Sequence, residues 1–327
     1  MKLSYNKHLS IVNKEKLITI DQCKKARNNE VSLITHGHSD HFLKTNDLLS
    51  SVETKKLIET SFNKELEINT FFKTTEISEN LFVTPLNAGH ILGSNMFFFE
   101  SNVGSVLYTG DFKTTNSLLL KGAKPKSADT LILESTFGKE KYVFPNRDLV
   151  YLDFSEKISK DLKENKLVLI GGYSLGKSQE LIKFVNVYLK ETPTVTNKIF
   201  EYSKVYESFG IDLGKYNLMD LDNNSKILIL PNTLITKEFI HTLEKQTKKK
   251  VKAYVASGWN HYRIAESIPI SDHCDYVDLI DFVANVNPKR VFTMHGFSKE
   301  LAKSITKELG IFSLPIEEIG KKNILDY

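Results

Sequence analysis

Residues 35–42 of this chain have the sequence THGHSDHF, which places four potential metal ligands within six residues, directly after the apolar run of residues 31–34. Because alternate residues of an extended chain lie on the same side, His36 and His38 can face one ion. Asp40 and His41 follow where the chain turns and can serve a second ion. Imidazole and carboxylate groups together suit zinc or a similar divalent cation. A solvated polar turn is the plain alternative, but it does not explain so many ligand groups in so short a segment.

The overall composition is that of an ordinary globular protein. A chain of 327 residues with 41% hydrophobic residues can bury a full core, and its length suits one large domain or two of moderate size. Nothing approaches the roughly 18 consecutive apolar residues needed to span a membrane. The N-terminal residues MKLSYNK are too polar for a signal peptide. We therefore expect a cytoplasmic protein with no membrane partner.

Charge and cysteine content restrict the function classes further. The formal net charge is +4, so charge alone does not indicate a nucleic-acid-binding protein, although it permits one. Cys23 and Cys274 are too few for a disulfide framework and form no CxxC pair. We expect both to be reduced, with Cys274 a packing residue rather than a nucleophile, although it follows His273.

The distribution of apolar residues predicts three regions of different secondary structure. From residue 9 to about 135, short apolar or β-branched runs broken by polar turns predict strands. Between about 145 and 262, amphipathic segments such as 149–163 alternate with strands of buried type such as 167–170, which is typical of a parallel α/β layout. Residues 276–309 return to strand and helix. The sequence shows no linker, so we expect a second domain to be an insertion packed against the first.

Further side chains with metal-binding or acid–base chemistry come where predicted strands end. Glycines on either side of His90 let the backbone turn tightly and direct an imidazole. Asp111 follows the residues VLYTG, and a carboxylate delivered there can bridge two cations. Glu134 follows the residues TLIL in the same way, although a lone acid after a strand is more often a helix cap. His273 and His295 also stand where a strand gives way to a turn.

The order and spacing of these residues resemble those of the metallo-β-lactamase fold superfamily. The resemblance is carried by HxHxDH at residues 36–41, Gly-His at residues 89–90 and Thr-Gly-Asp at residues 109–111. It implies an α/β fold, a four-layer αβ/βα sandwich. A member of this superfamily uses its histidine and aspartate motifs to hold metal ions for hydrolysis.

Three more motifs resemble those of the β-CASP nucleases within that superfamily: ESTF at residues 134–137, SDH at 271–273 and MHG at 294–296. The family includes the endonuclease subunit of the pre-mRNA cleavage and polyadenylation factor, the RNase J enzymes, Artemis-type DNA nucleases and bacterial ligase-associated DNA exonucleases. YSLGKSQE at residues 173–180 and SGW at residues 257–259 are most similar to the last group.

The resemblance also implies a domain organisation. The metallo-β-lactamase domain would be formed by residues 1–140 and 265–327. A β-CASP α/β domain would be inserted between them at residues 141–264.

A ligand set and catalytic roles follow from the same resemblance, residue by residue. Glu134 would orient His273, which would give a proton to the leaving oxygen, and Asp40 would belong to the catalytic set as well as to the metal site. Manganese is an alternative to zinc. The implied ligands are His36, His38 and His90 for one zinc ion, Asp40, His41 and His295 for the other, and Asp111 as the bridge.

The implied activity is hydrolysis of phosphodiester bonds in single-stranded nucleic acid. A phosphodiester anion repels nucleophiles, so hydrolysis near neutral pH needs charge neutralisation and a ready hydroxide, which two metal ions about 3.5–4 Å apart supply. The resemblance implies a 5′-to-3′ DNA exonuclease, a role in DNA repair, and products with 5′-phosphate and 3′-hydroxyl ends.

Three alternatives stay open at this point. RNA processing by an exo- or endoribonuclease fits the same motifs. A catalytically inactive nucleic-acid-binding subunit would keep the fold, but the complete ligand set argues against it. A small-molecule hydrolase of the same superfamily would not need Glu134, His273 and His295 together.

Residues 171–178, GGYSLGKS, fit the phosphate-binding pattern GxxxxGK[ST], follow a predicted strand and open a helical segment. ATP binding is therefore an alternative, but metal motifs on both flanks argue against it. Backbone N–H groups at a helix start, with a lysine beside them, attract any phosphate. We predict that Ser174, Lys177 and Ser178 bind the nucleic-acid backbone or its 5′ end. The expected partners are single-stranded DNA or RNA, with a DNA ligase or helicase as an associated protein.

Overall fold

The computed structural model describes residues 2–5, 8–21, 30–42, 48–219, 225–320 and 322–326. The chain divides into two compact units. The first comprises Met1–Asn116, Lys121–Val143 and His273–Tyr327, and the second comprises Ser117–Leu120 and Phe144–Asp272.

The first unit begins with a six-stranded sheet whose strands follow one another in chain order. Its first three strands pair antiparallel, and the remaining neighbours pair parallel. One helix precedes the last strand, and the hydroxyl of Ser51 caps its start by accepting from the Thr54 N–H. The elements are β1 (Lys2–Tyr5), β2 (Leu9–Asn13), β3 (Lys16–Ile20), β4 (Glu30–Leu33), β5 (Leu48–Ser50), α1 (Val52–Phe62) and β6 (Ile68–Thr70).

A second sheet of the first unit starts as an antiparallel meander and ends with a parallel strand. Asp111 follows the fourth of these strands, and Glu134 is the last residue of the fifth. These strands are β7 (Thr75–Ser78), β8 (Leu81–Asn87), β9 (Asn95–Ser101), β10 (Gly104–Tyr108) and β11 (Thr130–Glu134).

The second unit is built on a six-stranded parallel sheet. One of its two central strands, Leu167–Gly172, is buried along its whole length, as expected for a parallel sheet covered on both faces. The elements are α2 (Arg147–Lys163), β12 (Leu167–Gly172), α3 (Lys177–Phe184), a π-helical turn (Val185–Leu189), β13 (Thr194–Val195), α4 (Asn197–Ser208), β14 (Asn217–Leu218), β15 (Ile227–Pro231), a 3-10 turn (Asn232–Leu234), α5 (Lys237–Thr247), β16 (Val251–Ala256) and β17 (Glu266–Ile268). The strand order is β14-β13-β15-β12-β16-β17.

The chain then returns to the first unit and completes its second sheet. The seven strands are ordered β19-β18-β11-β10-β9-β8-β7, and β18 pairs parallel with β11. The returning elements are α6 (Tyr276–Val286), β18 (Arg290–Met294), α7 (Ser298–Leu309), β19 (Phe312–Pro315) and 3-10 turns at Ile316–Glu318 and Ile324–Asp326.

The two faces of the second sheet bury different cores, which makes the first unit a layered sandwich. Val106 and Tyr108 of β10 pack in one cluster with Ile18 of the first sheet, whereas Leu107 packs in another cluster with Phe282 of α6. This follows from the alternation of side chains along a strand. Ile58 of α1 packs in a further cluster with residues of the first sheet. The layers are therefore helix, sheet, sheet and helix, and the predicted α/β sandwich is confirmed.

The bounds of the second unit differ from the predicted insertion at residues 141–264. The unit continues to Asp272 because β17 pairs with β16 in register from Tyr254 to Ala256. Ser117–Leu120 also belong to it. Among the described helices, none combines the length and the apolar content that crossing a membrane requires.

Candidate metal centre

The ligand-rich segment of residues 35–42 follows β4 and brings its histidines into the interior of the first unit. His36 is fully buried and His41 nearly so, whereas His38 is half-buried. His90 comes from the turn after β8, where Gly89 adopts a φ of +69°. A Cβ at that glycine would lie 2.6 Å from the Lys113 carbonyl oxygen, so the turn requires glycine.

Three imidazoles converge in this interior. His36 Nε2 lies 3.0 Å from His38 Nδ1, and His90 Nε2 lies 3.2 Å from the same His38 nitrogen. These three residues form one of the groups whose ligand atoms all lie within 4.8 Å of one another. The sequence placed two of them two residues apart, and the fold supplies the third from 52 positions further along.

Asp111 adjoins this group and connects it with His41. Its Oδ2 lies 3.5 Å from His41 Nε2, 3.7 Å from His36 Nε2 and 3.9 Å from His90 Nε2. His36, His41 and Asp111 form a second group of potential ligands. We refer to His36, His38, His41, His90 and Asp111 as the ligand cluster.

The spacing of the ligand cluster fits a tetrahedral divalent cation. Zinc with Zn–N distances of about 2.0–2.1 Å separates its nitrogen ligands by about 3.3 Å. The nitrogen separations of 3.0 and 3.2 Å are close to that value. The donor set of imidazoles and one carboxylate is also the set that zinc prefers.

Asp21 also belongs to the candidate site, although none of the sequence motifs includes it. It follows β3, and its Oδ2 lies 3.2 Å from His41 Nδ1. The same carboxylate accepts from the backbone N–H of Thr35 at 2.9 Å and from the Tyr108 hydroxyl at 3.2 Å. A carboxylate behind a ligating histidine fixes the orientation of the ring. The available signal was an aspartate at the end of an apolar strand, the same signal that identified Asp111.

The electrostatics of the ligand cluster follow from burial and mutual proximity. Burial lowers the pKa of the His36 imidazole well below its usual value, and His41 and His90 add to this effect. Burial also lowers the pKa of His41, but the carboxylates of Asp21 and Asp111 outweigh it, so that pKa is raised well above its usual value. Burial raises the pKa of Asp111, but His41 outweighs it and holds that pKa well below its usual value.

Glu134 and His273 form a hydrogen-bonded pair beside the ligand cluster. His273 Nδ1 lies 3.0 Å from both carboxylate oxygens of Glu134, which is almost completely buried. The carboxylate also accepts from the Phe112 N–H at 2.8 Å and from the Thr136 hydroxyl at 2.5 Å. The His273 ring lies 4.7 Å from the His90 ring between centroids, and these two histidines and Asp111 form a third group of potential ligands.

Two predicted ligands are not brought into these groups. Asp40 is exposed, and its Oδ2 lies 3.9 Å from His41 Nε2. His295 is exposed in a left-handed conformation with φ of 63°, and its carbonyl accepts from the Ser135 hydroxyl at 2.6 Å. Within the described part of the chain, none of the three groups includes either residue.

The predicted phosphate-binding residues lie in the second unit and are engaged internally. The Lys177 side chain is 2% exposed, and its Nζ lies 2.5 Å from Asp272 Oδ1 and 3.3 Å from Glu180 Oε2. Ser178 is buried and donates to the Tyr173 carbonyl at 2.8 Å, while Ser174 is half-buried. The helix start was predicted at the correct place, but in this structure neither Lys177 nor Ser178 is open to a phosphate.

Comparison with known proteins identifies one domain family and several relatives. The family described as "Zn-dependent metallo-hydrolase RNA specificity domain" matches residues 261–315. A protein named "Probable DNA ligase" from Opitutus terrae is 32% identical over 88% of this chain and 29% of its own length. An "RNase J-like protein" from Methanocaldococcus jannaschii is 29% identical over 45% of this chain and 37% of its own length.

A third relative and a solved structure extend over most of the chain. The relative is named "5' exonuclease Apollo", from Gallus gallus, and is 26% identical over 81% of this chain and 58% of its own length. The chain thus spans about a third of the first two relatives and somewhat over half of the third. A crystal structure of a protein of unknown function from Enterococcus faecalis has a TM-score of 0.63 at 12% identity over 94% of both chains, which shows a shared fold.

Proposed function

Because this chain belongs to the β-CASP nuclease family of the metallo-β-lactamase fold, we propose that it is a metal-dependent phosphodiesterase acting on single-stranded nucleic acid. One observation carries the proposal: the buried ligand cluster adjoins a histidine held by a buried carboxylate, His273 on Glu134. The cluster supplies ligands, and the pair supplies a proton-transfer group. Metal ions and a positioned proton donor both accelerate the hydrolysis of a phosphodiester.

We propose two zinc ions, with manganese as a substitute. His36, His38 and His90 would hold one ion and His41 would hold the other, with Asp111 shared between them; Asp40 and His295 are proposed to complete the second site. Bound metal would neutralise phosphate charge and make a hydroxide available near neutral pH. The short nitrogen separations and the choice of donors support the first site, and the three contacts of Asp111 support its bridging role.

The residues of the chain itself handle the leaving group. Glu134 accepts from His273 Nδ1, and this fixes the tautomer so that Nε2 is the nitrogen left to carry the second proton. We propose that this nitrogen protonates the leaving sugar oxygen, giving 5′-phosphate and 3′-hydroxyl ends. The Glu134 carboxylate, 3.0 Å from His273 Nδ1, would stabilise the protonated ring.

We propose 5′-to-3′ exonuclease action on DNA as the specific activity. The relative named as a 5′ exonuclease and the relative named as a DNA ligase support this choice. We also propose a DNA ligase or helicase as protein partner in DNA repair; the name of the latter relative supports the ligase. RNA processing is the second candidate, because the matched family is described as an RNA specificity domain. An inactive binding subunit is disfavoured by the well-assembled ligand cluster. Action on cellular nucleic acid is consistent with the expected cytoplasmic location.

The test is digestion of 5′- and 3′-labelled single- and double-stranded DNA and RNA by the purified protein, loaded with zinc or with manganese. We expect a ladder from the 5′ end of single-stranded DNA. A ladder or discrete cuts confined to RNA would replace DNA by RNA as the substrate. Binding without cleavage under all conditions would contradict the proposal.

A variant tests the proton donor. His273→Ala should keep its metal but lose about 100- to 10,000-fold in turnover, since that is the usual contribution of a general acid. His241→Ala, which removes an exposed histidine of α5, is the matched control. Near-normal hydrolysis by zinc-loaded His273→Ala would remove His273 from the mechanism.

A further inference from the structure

A second cluster of ionisable groups is buried in the second unit, apart from the ligands of the metal centre. It consists of two cations, two carboxylates and a tyrosine hydroxyl, and we refer to it as the ionic cluster: Arg147, Tyr151, Lys177, Glu180 and Asp272. Tyr151 is 2% exposed, and none of the other four side chains is more than 13% exposed.

The ionic cluster is closely bonded. The guanidinium of Arg147 pairs with Glu180, donates to the Tyr151 hydroxyl at 2.8 Å and lies 3.9 Å from Asp272 Oδ1. Tyr151 donates to Glu180 at 2.5 Å. Lys177 joins Asp272 to Glu180. Cations and carboxylates are equal in number, which is how charges are tolerated in an interior.

The cluster includes residues at both ends of the longer segment of the second unit, Phe144–Asp272. This segment starts at Phe144, and Arg147 follows three residues later. The second unit ends at Asp272, and the chain returns to the first unit at His273. Arg147 Nη1 donates to the Ser271 carbonyl at 2.6 Å, so one cation binds the backbone of Ser271 while another binds the side chain of Asp272.

The residue that follows Ser271 and Asp272 is the proposed proton donor, His273. Asp272 is joined to His273 by one peptide bond, so fixing Ser271 and Asp272 fixes where the His273 backbone begins. On the other side, the Cys274 N–H donates to the Phe112 carbonyl at 3.1 Å, and the ring itself is held by Glu134. The position of His273 is therefore fixed by contacts of the residue before it, of the residue after it and of its own side chain.

We propose that the ionic cluster is a positioning device for His273, with Lys177 and Asp272 as positioning residues rather than phosphate contacts. This inference rests on the proposed function of His273. A proton donor displaced by about 1 Å can lose about 100-fold in rate while substrate binding is retained. The expected signature of a broken cluster is therefore a lower kcat at unchanged KM.

The experiment compares Lys177→Met, Asp272→Asn and Lys177→Arg with Lys183→Met. Lys183 lies on the same helix and pairs with exposed Asp212 at 2.7 Å, so its replacement removes a lysine–aspartate pair without touching the ionic cluster. Metal content and thermal unfolding select folded variants. We expect kcat to fall about 10- to 100-fold in Lys177→Met and Asp272→Asn, to recover in part in Lys177→Arg, and to stay at the parent value in Lys183→Met.

Two kinetic results would overturn the inference. A rise in KM at constant kcat in Lys177→Met would show that Lys177 binds substrate. Folded variants with kcat within about two-fold of the parent would show that the cluster has no influence on His273. Asp272→Asn keeps the side-chain size and serves as the second variant if Lys177→Met does not fold.

A structural readout separates this inference from the proposed function. In a crystal structure of zinc-loaded Asp272→Asn, we expect His273 Nδ1 to move out of hydrogen-bonding range of Glu134, from its present 3.0 Å. An unchanged separation would overturn the inference even if the parent cleaves nucleic acid. If the His273 ring moves in Asp272→Asn but the parent protein has no nuclease activity, the result supports the positioning role and contradicts only the proposed function.

Discussion

The ligand cluster of the first unit and the ionic cluster of the second both bury several ionisable side chains, but they satisfy them in opposite ways. In the ionic cluster each carboxylate has a Lys or Arg partner. In the ligand cluster the ion pairs of Asp111 within the described chain are all with histidines, and imidazole nitrogens face each other at about 3 Å. The ionic cluster, whose opposite charges are equal in number, is suited to stabilise the local structure. The ligand cluster, with four imidazoles around one carboxylate, is suited to bind a cation.

We expect the largest effect from a substitution that removes one residue of the ligand cluster. His36→Ala removes a fully buried ligand shared by two of the ligand groups. Because even partners behind the ligands are worth about 10- to 100-fold, the loss in metal affinity should be at least about 100-fold, with loss of hydrolysis. Elemental analysis of the purified variant measures it, with His241→Ala as control. If His36→Ala carries as much metal as the parent, the ligand cluster is not a metal site.

We expect the second largest effect from a substitution that unbalances the charges of the ionic cluster. Glu180→Leu removes the carboxylate shared by Arg147 and Lys177 and leaves one carboxylate for two buried cations. Breaking a buried pair in this way costs about 3–5 kcal/mol in the free energy of unfolding. Urea denaturation measures the change. Glu201→Leu is the control, since Glu201 pairs with Lys198 on the surface of α4. Equal, small losses in both variants would mean that the ionic cluster does not stabilise the second unit.

We expect the smallest effect from a substitution behind the ligand cluster, at the carboxylate that contacts His41. Asp21→Asn keeps the shape of the residue that orients His41 but removes its charge. We expect a loss in metal affinity of about 10- to 100-fold, less than for a direct ligand. Competition with a zinc chelator measures it, and Asp212→Asn, an exposed aspartate, is the control. Unchanged affinity would show that His41 needs no carboxylate behind it.

Local sequence patterns predicted the features that depend on neighbouring residues. The helix start at Lys177 follows from residues within a few positions of each other. The convergence of His36 and His38 was predictable for the same reason, since one residue separates them. The family and the layered α/β sandwich follow from the resemblance, which is carried by short motifs spread along the chain.

Features that depend on distant partners were not predictable in this way. The 2.5 Å pair between Lys177 and Asp272 spans 95 positions, so a phosphate-binding pattern could not show that its lysine was already engaged. The position of Asp21 at the end of a strand was a signal, but its contact with His41, 20 residues later, lies outside any compact motif. The second unit runs past residue 264 because β17 adds to the edge of its sheet, a pairing that a three-residue strand does not announce.

The order of the segments along the chain has a consequence for the protein during its synthesis. A nascent chain that has reached residue 270 already contains every histidine and aspartate of the ligand cluster, but it lacks the imidazole that Glu134 holds and the strand that pairs with β11. Until β18 has been synthesised, the first unit cannot complete its second sheet. The proposed nuclease would therefore stay inactive until the segment that returns from the second unit to the first has been synthesised.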